Sequence, residues 1–498
     1  MRRLFLLAAA MVAIGLLCAL PAQAVGVSKR EFRGAWIQCV NGQFQGLSKE
    51  DMQRTLAYQL DELQRDGVNA IIFQVRAECD ALYAGSQEPW SKFLTGRQGQ
   101  DPGWDPLQWM IEQCHKRGME LHAWINPFRA KTKTTTALAP NHIAVVHPER
   151  VFDYDGQYIL NPALAVNREY ICRIVDDIVR RYDVDGLHID DYFYPYPVAG
   201  VAIPDATNYA ADSRGMTLSD WRRDNVNRFI RQLSDSIHAT KPWVKFGVSP
   251  FGIYRNASSS PQGSNTRGLQ NYDDLYADVL KWVDEGWVDY CVPQLYWQIG
   301  HKTADYATLI RWWNSHASNR PLFIGEDVER TIKYADVDNP GTNQVAAKHR
   351  LHEQCTNVGG TVQWYAKAAV DNYDRYGVFL RNYYWKYPAL QPLMPFIDDK
   401  VPAKPRKLKA HTNDDNVLLT WRVPKGSGWR DAAVKYVVYR FSSAEDIDIS
   451  DASHIIAITP HTYLETARPQ NKGRYVYLVT ALDRMSNESQ AVKKKLKL

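Results

Sequence analysis

The sequence predicts an α/β chain in which a (β/α)8 TIM barrel is followed by a small all-β sandwich. Between Glu31 and Pro395, eight short apolar runs alternate with amphipathic segments, and few hairpin signals interrupt them. A doubly wound open sheet is the main alternative, but no GxGxxG or P-loop motif follows any of the runs. After Pro395 the helical periodicity ends and short alternating runs separated by turn residues take over.

The first two predicted strands enclose a well-marked helix. "FRGAWIQ" (32–38) is the first strand, and Ser48 is the expected N-cap of the helix that follows and ends at Gly67. One face of this helix is apolar, with Met52, Leu56, Leu60 and Leu63. "NAIIFQVR" (69–76) is continuously apolar, as expected for a strand that is covered on both faces.

The same unit then repeats along the barrel region. Asp105 and Pro106 open a helix that ends at Gly118, and "ELHAWINP" (120–127) is the third strand. After a long loop, the pattern indicates a helix at 165–184 and a fourth strand, "DGLHIDDYF". The remaining strands are predicted at 244–252, 290–298, 321–327 and 361–366, and the remaining helices at 218–239, 274–285, 304–316 and 343–357.

The C-terminal part has a different sequence pattern. A Pro- and Lys-rich linker at 396–405 leads to residues 406–498, where "NVLLTW", "VKYVVYRF" and "RYVYLVTALD" alternate like sandwich strands. In order and approximate spacing these runs resemble a fibronectin type III domain. No residue pattern in this region suggests chemistry.

The N-terminus predicts export. Residues 1–24, "MRRLFLLAAAMVAIGLLCALPAQA", combine two arginines, a short apolar run and a small-residue cleavage site, which is typical of a secretory signal peptide. We therefore expect a periplasmic or cell-envelope protein with no transmembrane span in the mature chain. Lipid anchoring at Cys18 is the alternative, but Leu17 stands where a lipobox requires a small residue.

Composition and cysteine spacing exclude several classes. The net charge of +5 is thinly spread over 498 residues, and the basic "KKKLKL" terminus is simply a solvated tail, so no nucleic-acid partner is expected. Six cysteines remain after signal-peptide cleavage, without any CxxC pair or Cys/His cluster. We predict no metal site, no cofactor and mostly isolated buried thiols.

The polar residues at the carboxyl ends of the predicted strands are the candidate site, because that end of a TIM barrel carries the active site. The acids considered for catalysis are Asp190, Asp191 and Glu326. The residues considered for substrate binding are Trp36, Arg76, Asp80, His122, Asn126, His188, Tyr192, Gln294, Tyr296 and Trp297.

The adjacent acids in "DVDGLHIDDYFYP" carry the strongest signal. The period of a strand places His188, Asp190 and Tyr192 on one face, which can point into the barrel. A strand-end carboxylate often caps the next helix or pairs with an arginine, but "YFYPYP" cannot start a helix promptly. The 16 Trp and 28 Tyr residues further suit sugar binding, because aromatic faces cover the apolar face of a pyranose.

Four long motifs carry a resemblance to a known family: "EFRGAWIQ", "FQVRAECDALYAGSQEPWSKFLTG", "DPLQWMIEQCHKRGMELHAWINPFR" and "YDVDGLHIDDYFYP". Over residues 31–395 the chain resembles the glycosyl hydrolase-like 10 family of exported bacterial proteins. The resemblance implies a (β/α)8 catalytic domain that cleaves a polysaccharide, with relatives acting on peptidoglycan strands stripped of stem peptides.

A broader similarity concerns "DGLHID", which is like the fourth-strand motif of α-amylase-type barrels, whose last Asp is the nucleophile. That position is Asp190. Those enzymes take their general acid from a Glu on the fifth strand, whereas "VKFGVSPFG" contains no acid.

The resulting hypothesis is a glycoside hydrolase in which Asp190 is the nucleophile or charge stabiliser and a second carboxyl is the general acid. Asp191 and Glu326 are the main candidates for the acid, ahead of Glu78 and Asp80. A non-catalytic glycan-binding barrel is the alternative. A metal-dependent deacetylase or amidase is disfavoured, because "GAWIQ" offers no HxH ligand pair on the first strand.

Overall fold

The computed structural model describes residues 28–133, 137–426 and 428–498. The expected signal peptide and Cys18 lie outside the described residues. Within the described ranges, no helix combines the length and the apolarity that crossing a bilayer requires. The six cysteines of this part are buried free thiols.

The described residues form eighteen strands: β1 (Phe32–Ile37), β2 (Ala70–Arg76), β3 (Glu120–Ile125), β4 (Arg129–Lys131), β5 (Val151–Tyr154), β6 (Gln157–Leu160), β7 (Gly186–Ile189), β8 (Lys245–Val248), β9 (Tyr290–Cys291), β10 (Leu322–Asp327), β11 (Val358–Trp364), β12 (Arg406–Thr412), β13 (Asn416–Arg422), β14 (Lys435–Ser442), β15 (Ile455–Thr459), β16 (Tyr463–Ala467), β17 (Arg474–Leu482) and β18 (Val492–Lys497).

The same residues form fourteen α-helices: α1 (Lys49–Arg65), α2 (Lys92–Thr95), α3 (Pro106–Lys116), α4 (Ile143–Val146), α5 (Ala165–Arg181), α6 (Ala206–Ala211), α7 (Leu218–Thr240), α8 (Asn271–Asp274), α9 (Val279–Asp284), α10 (Tyr306–Ser315), α11 (Val328–Lys333), α12 (Val345–Gln354), α13 (Ala366–Asp371) and α14 (Gly377–Phe379).

Eight parallel strands close into a barrel in the order β1-β11-β10-β9-β8-β7-β3-β2. The TIM-barrel prediction is therefore confirmed. The long loop after β3 contains a small antiparallel sheet, β4-β6-β5, that the sequence pattern did not reveal. This sheet lies beside the carboxyl end of the barrel, because only three residues separate the end of β3 from the start of β4.

The barrel interior is filled mainly with large apolar side chains, with the small Ala70 among them: Phe32, Trp36, Ala70, Ile72, Trp124, Tyr290, Val292, Phe323, Val362 and Met394. Two glycines make room for polar rings among them. A Cβ at Gly186 would lie 2.5 Å from the His122 ring, and one at Gly247 would lie 1.9 Å from the Tyr290 ring. Both rings reach the barrel axis only because these positions lack a side chain.

Two predicted elements are more irregular than expected. The strand predicted at 290–298 is regular only over Tyr290–Cys291, because Pro293 cannot donate a ladder hydrogen bond. Beyond it, Gln294 makes isolated bridges to the neighbouring strands. The helix predicted at 274–285 is split into α8 and α9, because Tyr276 adopts a left-handed conformation with φ of 55°.

The C-terminal residues form two antiparallel sheets, β12-β13-β16 and β15-β14-β17-β18, which confirms the sandwich prediction. The sandwich contacts the barrel at the amino ends of its strands. Lys435 Nζ lies 3.4 Å from the Gly118 carbonyl oxygen, and Arg484 forms an ion pair of 2.8 Å with Asp183. The carboxyl end of the barrel, where the candidate site lies, is therefore on the opposite side from the sandwich.

Candidate active site

The adjacent acids Asp190 and Asp191 lie at the carboxyl end of β7, where the barrel opens. On β7 the missing side chain of Gly186 faces the His122 ring inside the barrel, so His188 and Asp190 point inwards as well. Asp190 is 3% exposed and Asp191 is 2% exposed. The strand therefore brings two carboxyl groups, almost entirely removed from water, to the mouth of the barrel.

Asp190 is held by one of its two oxygens. Its Oδ2 atom accepts hydrogen bonds from Trp124 Nε1, at 3.1 Å, and from Asn126 Nδ2. Its Oδ1 atom is buried and has no hydrogen-bond partner among the described residues. The carboxyl group is thus fixed in orientation through Oδ2, while Oδ1 is left without a partner.

The orientation of Asn126 is itself determined by its neighbours. Its Oδ1 atom accepts hydrogen bonds from Gln74 Nε2 at 2.6 Å and from Arg129 Nη2 at 2.9 Å. Because both contacts are donors, the amide NH2 group must face Asp190.

Asp191 is surrounded by different donors. The Tyr196 hydroxyl donates to Asp191 Oδ2, and the side chain of Gln294 also hydrogen-bonds the carboxylate. Asp190 therefore contacts β3, on one side of β7, whereas Asp191 turns towards the segment after β9, on the other side.

Burial raises the pKa of Asp190 to about 7, and the negative charge of Asp191 adds to this effect. Burial also raises the pKa of Asp191, while the hydrogen bonds from Tyr196 and Gln294 partly offset the increase. The two carboxyl groups are coupled, because ionising one makes it harder to ionise the other. The pair can therefore hold one proton near neutral pH.

Arg129 is a site residue that the sequence reasoning missed. Its guanidinium lies over the Tyr192 ring, 4.9 Å from the centroid, and its positive charge lowers the pKa of Asp190 and of Asp191. Nε donates to the Ala77 carbonyl at 3.0 Å, which fixes the side chain. The signal was present in "INPFR", directly after the third strand, but it stood outside the strand pattern.

Aromatic side chains line the mouth beside the pair. The Tyr296 ring stacks on Trp364 with centroids 5.8 Å apart, and Trp364 contacts Trp124 edge-on at 6.2 Å. Trp36 lies edge-on to both Tyr296 and Trp364. Trp36, Trp124, Tyr296 and Trp364 together form what we call the aromatic wall, which suits contact with a sugar ring. Trp364 was not anticipated from the sequence.

Below the aromatic wall, a chain of hydrogen bonds runs through the barrel core. His122 contacts Glu120 at 3.0 Å and the Tyr290 hydroxyl at 2.7 Å. The Tyr290 hydroxyl lies 3.0 Å from His188 Nδ1, and His188 Nε2 lies 2.9 Å from the Ser249 hydroxyl. Tyr290 and Ser249 were not predicted site residues, because each looks like an ordinary strand residue.

The charge of Glu120 sets the direction of this chain. An ionised carboxylate can only accept, so His122 donates to Glu120 through Nε2. His122 Nδ1 then accepts a hydrogen bond from the Tyr290 hydroxyl. The hydroxyl oxygen of Tyr290 in turn accepts from His188 Nδ1. Burial keeps the pKa of His188 well below its usual value, so its ring is neutral. His122 and His188 therefore lie beneath the site and support it, and Trp36 Nε1 donates to His188 at 3.4 Å.

Glu326 lies outside the barrel mouth. On β10, Phe323 fills the barrel interior and Ile324 packs in the outer layer, so Glu326 points outwards to the helices. There Lys348 Nζ lies 2.9 Å from Oε2, and His352 Nε2 lies 3.0 Å from Oε1. The structure does not bring Glu326 together with Asp190.

The charges around Glu326 have a clear effect on it. Burial alone would raise the pKa of Glu326, but Lys348 and His352 outweigh burial and lower it to about 2. This carboxylate is therefore held ionised, a state that cannot donate a proton.

Three further residues named from the sequence serve the loops around the mouth. Arg76 uses all five of its N–H groups on Glu88, Cys79 and the backbone of residues 126–127. Glu78 binds Lys92 and Thr132, which lower its pKa despite burial. Asp80 is buried, with Oδ1 accepting from the Glu78 backbone N–H at 3.1 Å.

The remaining predicted residues lie around the rim. Tyr192 is 38% exposed and packs against Tyr196 with the rings tilted at 45° and their centroids 5.5 Å apart. Gln294 is half-buried and donates to the Ser249 carbonyl at 2.8 Å. Trp297 is half-buried and packs edge-on against Phe251.

A cavity of about 220 Å³ lies next to the acid pair on the side of the small sheet, and neither acid lines it. It is lined by Arg129, Gln157, Ile159 and residues 192–196. Within the part of the chain that the structure describes, no group of three or more His, Cys, Asp or Glu residues is arranged to hold a metal ion. The arrangement can therefore supply carboxyl chemistry beside aromatic side chains that suit contact with a sugar.

Comparisons with known proteins identify the family of the chain. The sequence model of the glycosyl hydrolase-like 10 family matches residues 31–340. Glycosyl hydrolase YngK of Bacillus subtilis strain 168 is 37% identical over 488 residues, which cover 96% of this chain and 95% of YngK. Glycosyl hydrolase DigH of Escherichia coli K12 is 34% identical over 327 residues, which cover 62% of this chain and 74% of DigH.

Among solved structures, the endo-beta-1,4-mannanase from Thermotoga petrophila aligns with 94% of this chain and 97% of its own, at 10% identity and a TM-score of 0.43. That similarity is too weak to carry an inference about substrate. The family match and the two relatives are sufficient without it. The chain therefore belongs to the glycosyl hydrolase-like 10 family, and it is a glycoside hydrolase.

Proposed function

We propose that this glycoside hydrolase cleaves peptidoglycan glycan strands that lack stem peptides, with Asp190 and Asp191 as the catalytic carboxyls. The observation that carries the proposal is the coupled, buried acid pair at the mouth of the barrel, beside the aromatic wall. The other strand-end acids named from the sequence differ from this pair: each either pairs with a cation or contacts the loops around the mouth.

The electrostatics favour Asp190 as the general acid and Asp191 as the charge stabiliser. A general acid works best when its pKa lies near the working pH, and the pKa of Asp190 is raised to about 7. Its unpartnered Oδ1 can carry the proton towards the glycosidic oxygen. Asp191 receives donors from Tyr196 and Gln294, which favour its ionised form. This division of roles reverses the one that the sequence suggested for Asp190.

The choice of substrate rests on the family resemblance and on the shape of the site. The resemblance implies relatives that act on strands without stem peptides. Both acids are almost fully buried at the mouth of the barrel. A bare glycan strand is slimmer than one that carries peptides, so it is the better fit to such a mouth. The expected signal peptide places the protein where this polymer occurs.

The remaining expected substrate contacts are extensions of the same proposal. Tyr192, Gln294, Tyr296 and Trp297 lie at the rim and would contact sugars directly. His122, His188 and Arg76 would act by holding the residues above them. The C-terminal sandwich, which we propose to be a fibronectin type III-like spacer, lies away from the mouth and takes no part in the chemistry.

Mass spectrometry of digestion products tests the proposal. Purified peptidoglycan is incubated with the full chain, with and without prior amidase removal of the stem peptides. We expect new reducing ends only after amidase treatment, and none with the D190N/D191N double variant. Efficient release from untreated peptidoglycan would contradict the preference for bare strands, and no release from either material would contradict the substrate assignment.

A further inference from the structure

We propose that the nucleophile is the 2-acetamido group of the sugar being cleaved, so that the enzyme requires an N-acetylhexosamine at the cleavage site and uses Asp191 to hold that group. This inference rests on the proposed function and specifies its mechanism and substrate class. It follows from where the carboxyl groups stand around the barrel mouth.

Both candidate catalytic acids rise from one strand. A glycosidase that forms a covalent intermediate needs its acid and its nucleophile on opposite faces of the sugar, about 5–5.5 Å apart. Asp190 and Asp191 are consecutive residues at the end of β7, and they diverge sideways towards β3 and β9. In the circular strand order, the position facing β7 is occupied by β11, with β1 and β10 beside it.

The facing side of the mouth presents rings, and the inward-facing acid there, Asp327, two positions after Gly325 on β10, is taken up as the cap of α11. β1 contributes Trp36 and β11 contributes Trp364, which pack edge-on with centroids 6.1 Å apart. On β10, the inward position Gly325 has no side chain, and a Cβ there would lie 3.0 Å from Trp36.

The nearby acids of the described residues are engaged elsewhere, and Asp80 is buried with its Oδ1 accepting from the Glu78 backbone N–H at 3.1 Å. Glu326 points outwards and pairs with Lys348. Asp327 caps α11, with Oδ1 accepting the Arg330 backbone N–H at 2.9 Å. Glu78, on the other side of the mouth, binds Lys92. A nucleophile from the substrate fills the position that these acids leave open.

Asp191 is suited to hold an acetamido group. An ionised carboxylate accepts the amide N–H, which turns the carbonyl oxygen towards the anomeric carbon and stabilises the positive charge that develops on the amide. The aromatic wall provides an apolar surface for the acetyl methyl group, in which Tyr296 stacks on Trp364.

The chemical steps balance without any further reagent than water. The proton on Asp190 Oδ1 moves to the glycosidic oxygen, the C1–O bond breaks, and the leaving sugar departs as an alcohol. The acetamido carbonyl oxygen bonds to C1 and gives an oxazolinium. Its N–H remains hydrogen-bonded to the Asp191 carboxylate. Water then attacks C1 and returns its proton to Asp190, the bond from C1 to the amide oxygen breaks, and the acetamido group is restored with net retention.

Chemical removal and restoration of the acetyl group tests the inference. Bare glycan strands are compared with the same strands after N-deacetylation and after re-N-acetylation with acetic anhydride. We expect deacetylation to slow cleavage by at least about 10³-fold, because an intramolecular nucleophile is lost, and re-acetylation to restore it. Cleavage of the deacetylated strands within tenfold of the native rate would overturn the inference and leave the proposed function standing.

The two proposals fail in different ways. If neither the native nor the re-acetylated strands are cleaved, the proposed function itself is wrong and this mechanism falls with it. A second readout concerns the intermediate: a thiazoline analogue of N-acetylglucosamine should inhibit competitively, with D191N weakening its binding at least 100-fold and E326Q leaving it unchanged. A covalent adduct on Asp190 or Asp191 after treatment with a 2-deoxy-2-fluoro glycosyl fluoride would overturn the mechanism.

Discussion

Asp190 and Glu326 are both buried acids at the carboxyl ends of barrel strands, yet their surroundings shift their pKa values in opposite directions. Asp190 faces the barrel mouth beside a second acid, and burial raises its pKa to about 7. Glu326 faces the helices, where Lys348 and His352 overcome the effect of burial and lower its pKa to about 2. The direction in which a strand residue points thus decides whether an acid can exchange protons or only hold the fold together.

The largest effect that this comparison predicts is on catalysis. D190N should lose glycan cleavage by about 10³-fold, because it removes the general acid. E326Q should keep its rate within about threefold of the unmodified chain, because Glu326 lies outside the mouth. Initial rates of reducing-end formation on bare strands measure both. Equal losses of cleavage rate in the two variants, with normal circular dichroism, would contradict the different roles assigned to Asp190 and Glu326.

The reverse ranking is expected for stability. E326Q should destabilise the barrel by about 3 kcal/mol, because it leaves Lys348 as a buried unpaired cation. D190N should leave the free energy of unfolding unchanged or raise it. The reason is that burial opposes the ionisation of Asp190, and the variant removes this carboxyl group. Denaturant unfolding followed by tryptophan fluorescence measures the difference. The E326M/K348M double variant is the control, and it should recover much of the lost stability.

The two acids should also give opposite pH dependences of stability. Native Asp190 retains a proton between about pH 4 and pH 7 that the unfolded chain has released, so its contribution to stability falls as the pH rises through this window. Native Glu326 stays ionised below the pKa of an unfolded Glu, so its contribution is present above about pH 4.5 and is lost towards pH 2.

Melting temperatures of the variants across these windows measure the effect. D190N should gain stability relative to the unmodified chain from pH 4 to pH 7, by on the order of 1 kcal/mol per pH unit. The deficit of E326Q should shrink below pH 4.5. Curves that run parallel to that of the unmodified chain in both windows would show that neither acid has a shifted pKa.

The smallest effect concerns the donors to Asp190. W124F removes the indole N–H that stabilises ionised Asp190, so the pKa of Asp190 should rise further, by about one unit. Because the general acid must be protonated, the alkaline limb of the kcat/KM profile should move to higher pH by the same amount. W36F is the matched control, because Trp36 donates to His188 and not to a carboxylate. An equal shift in W36F would point to a general loss of packing.

The sequence identified the barrel and the acid pair because both leave a periodic signal. "GLHID" alternates, so its polar residues share one face, and the structure places that face inwards. "LFIGED" is apolar on both faces before its acids, so the pattern does not say which of Glu326 and Asp327 turns towards the barrel axis.

Other features could not be predicted because they depend on contacts between distant residues. Arg129 acts on Asp190 from a segment 61 positions away that the strand pattern leaves as loop. Tyr290 looks like a core residue, and only the glycine at 247 gives its ring a place on the barrel axis. The burial that raises the pKa of Asp190 is likewise a property of the closed barrel and not of the motif.

The most direct test of the central claim is the titration of Asp190 itself. Protein labelled with ¹³C at the aspartate carboxyl carbons is titrated by NMR, and the Asp190 resonance is assigned by its absence from D190N. The account predicts a resonance that titrates near pH 7 and moves to lower pH in D191N, because the neighbouring charge is removed. An Asp190 resonance that titrates below pH 5 and is insensitive to D191N would contradict it.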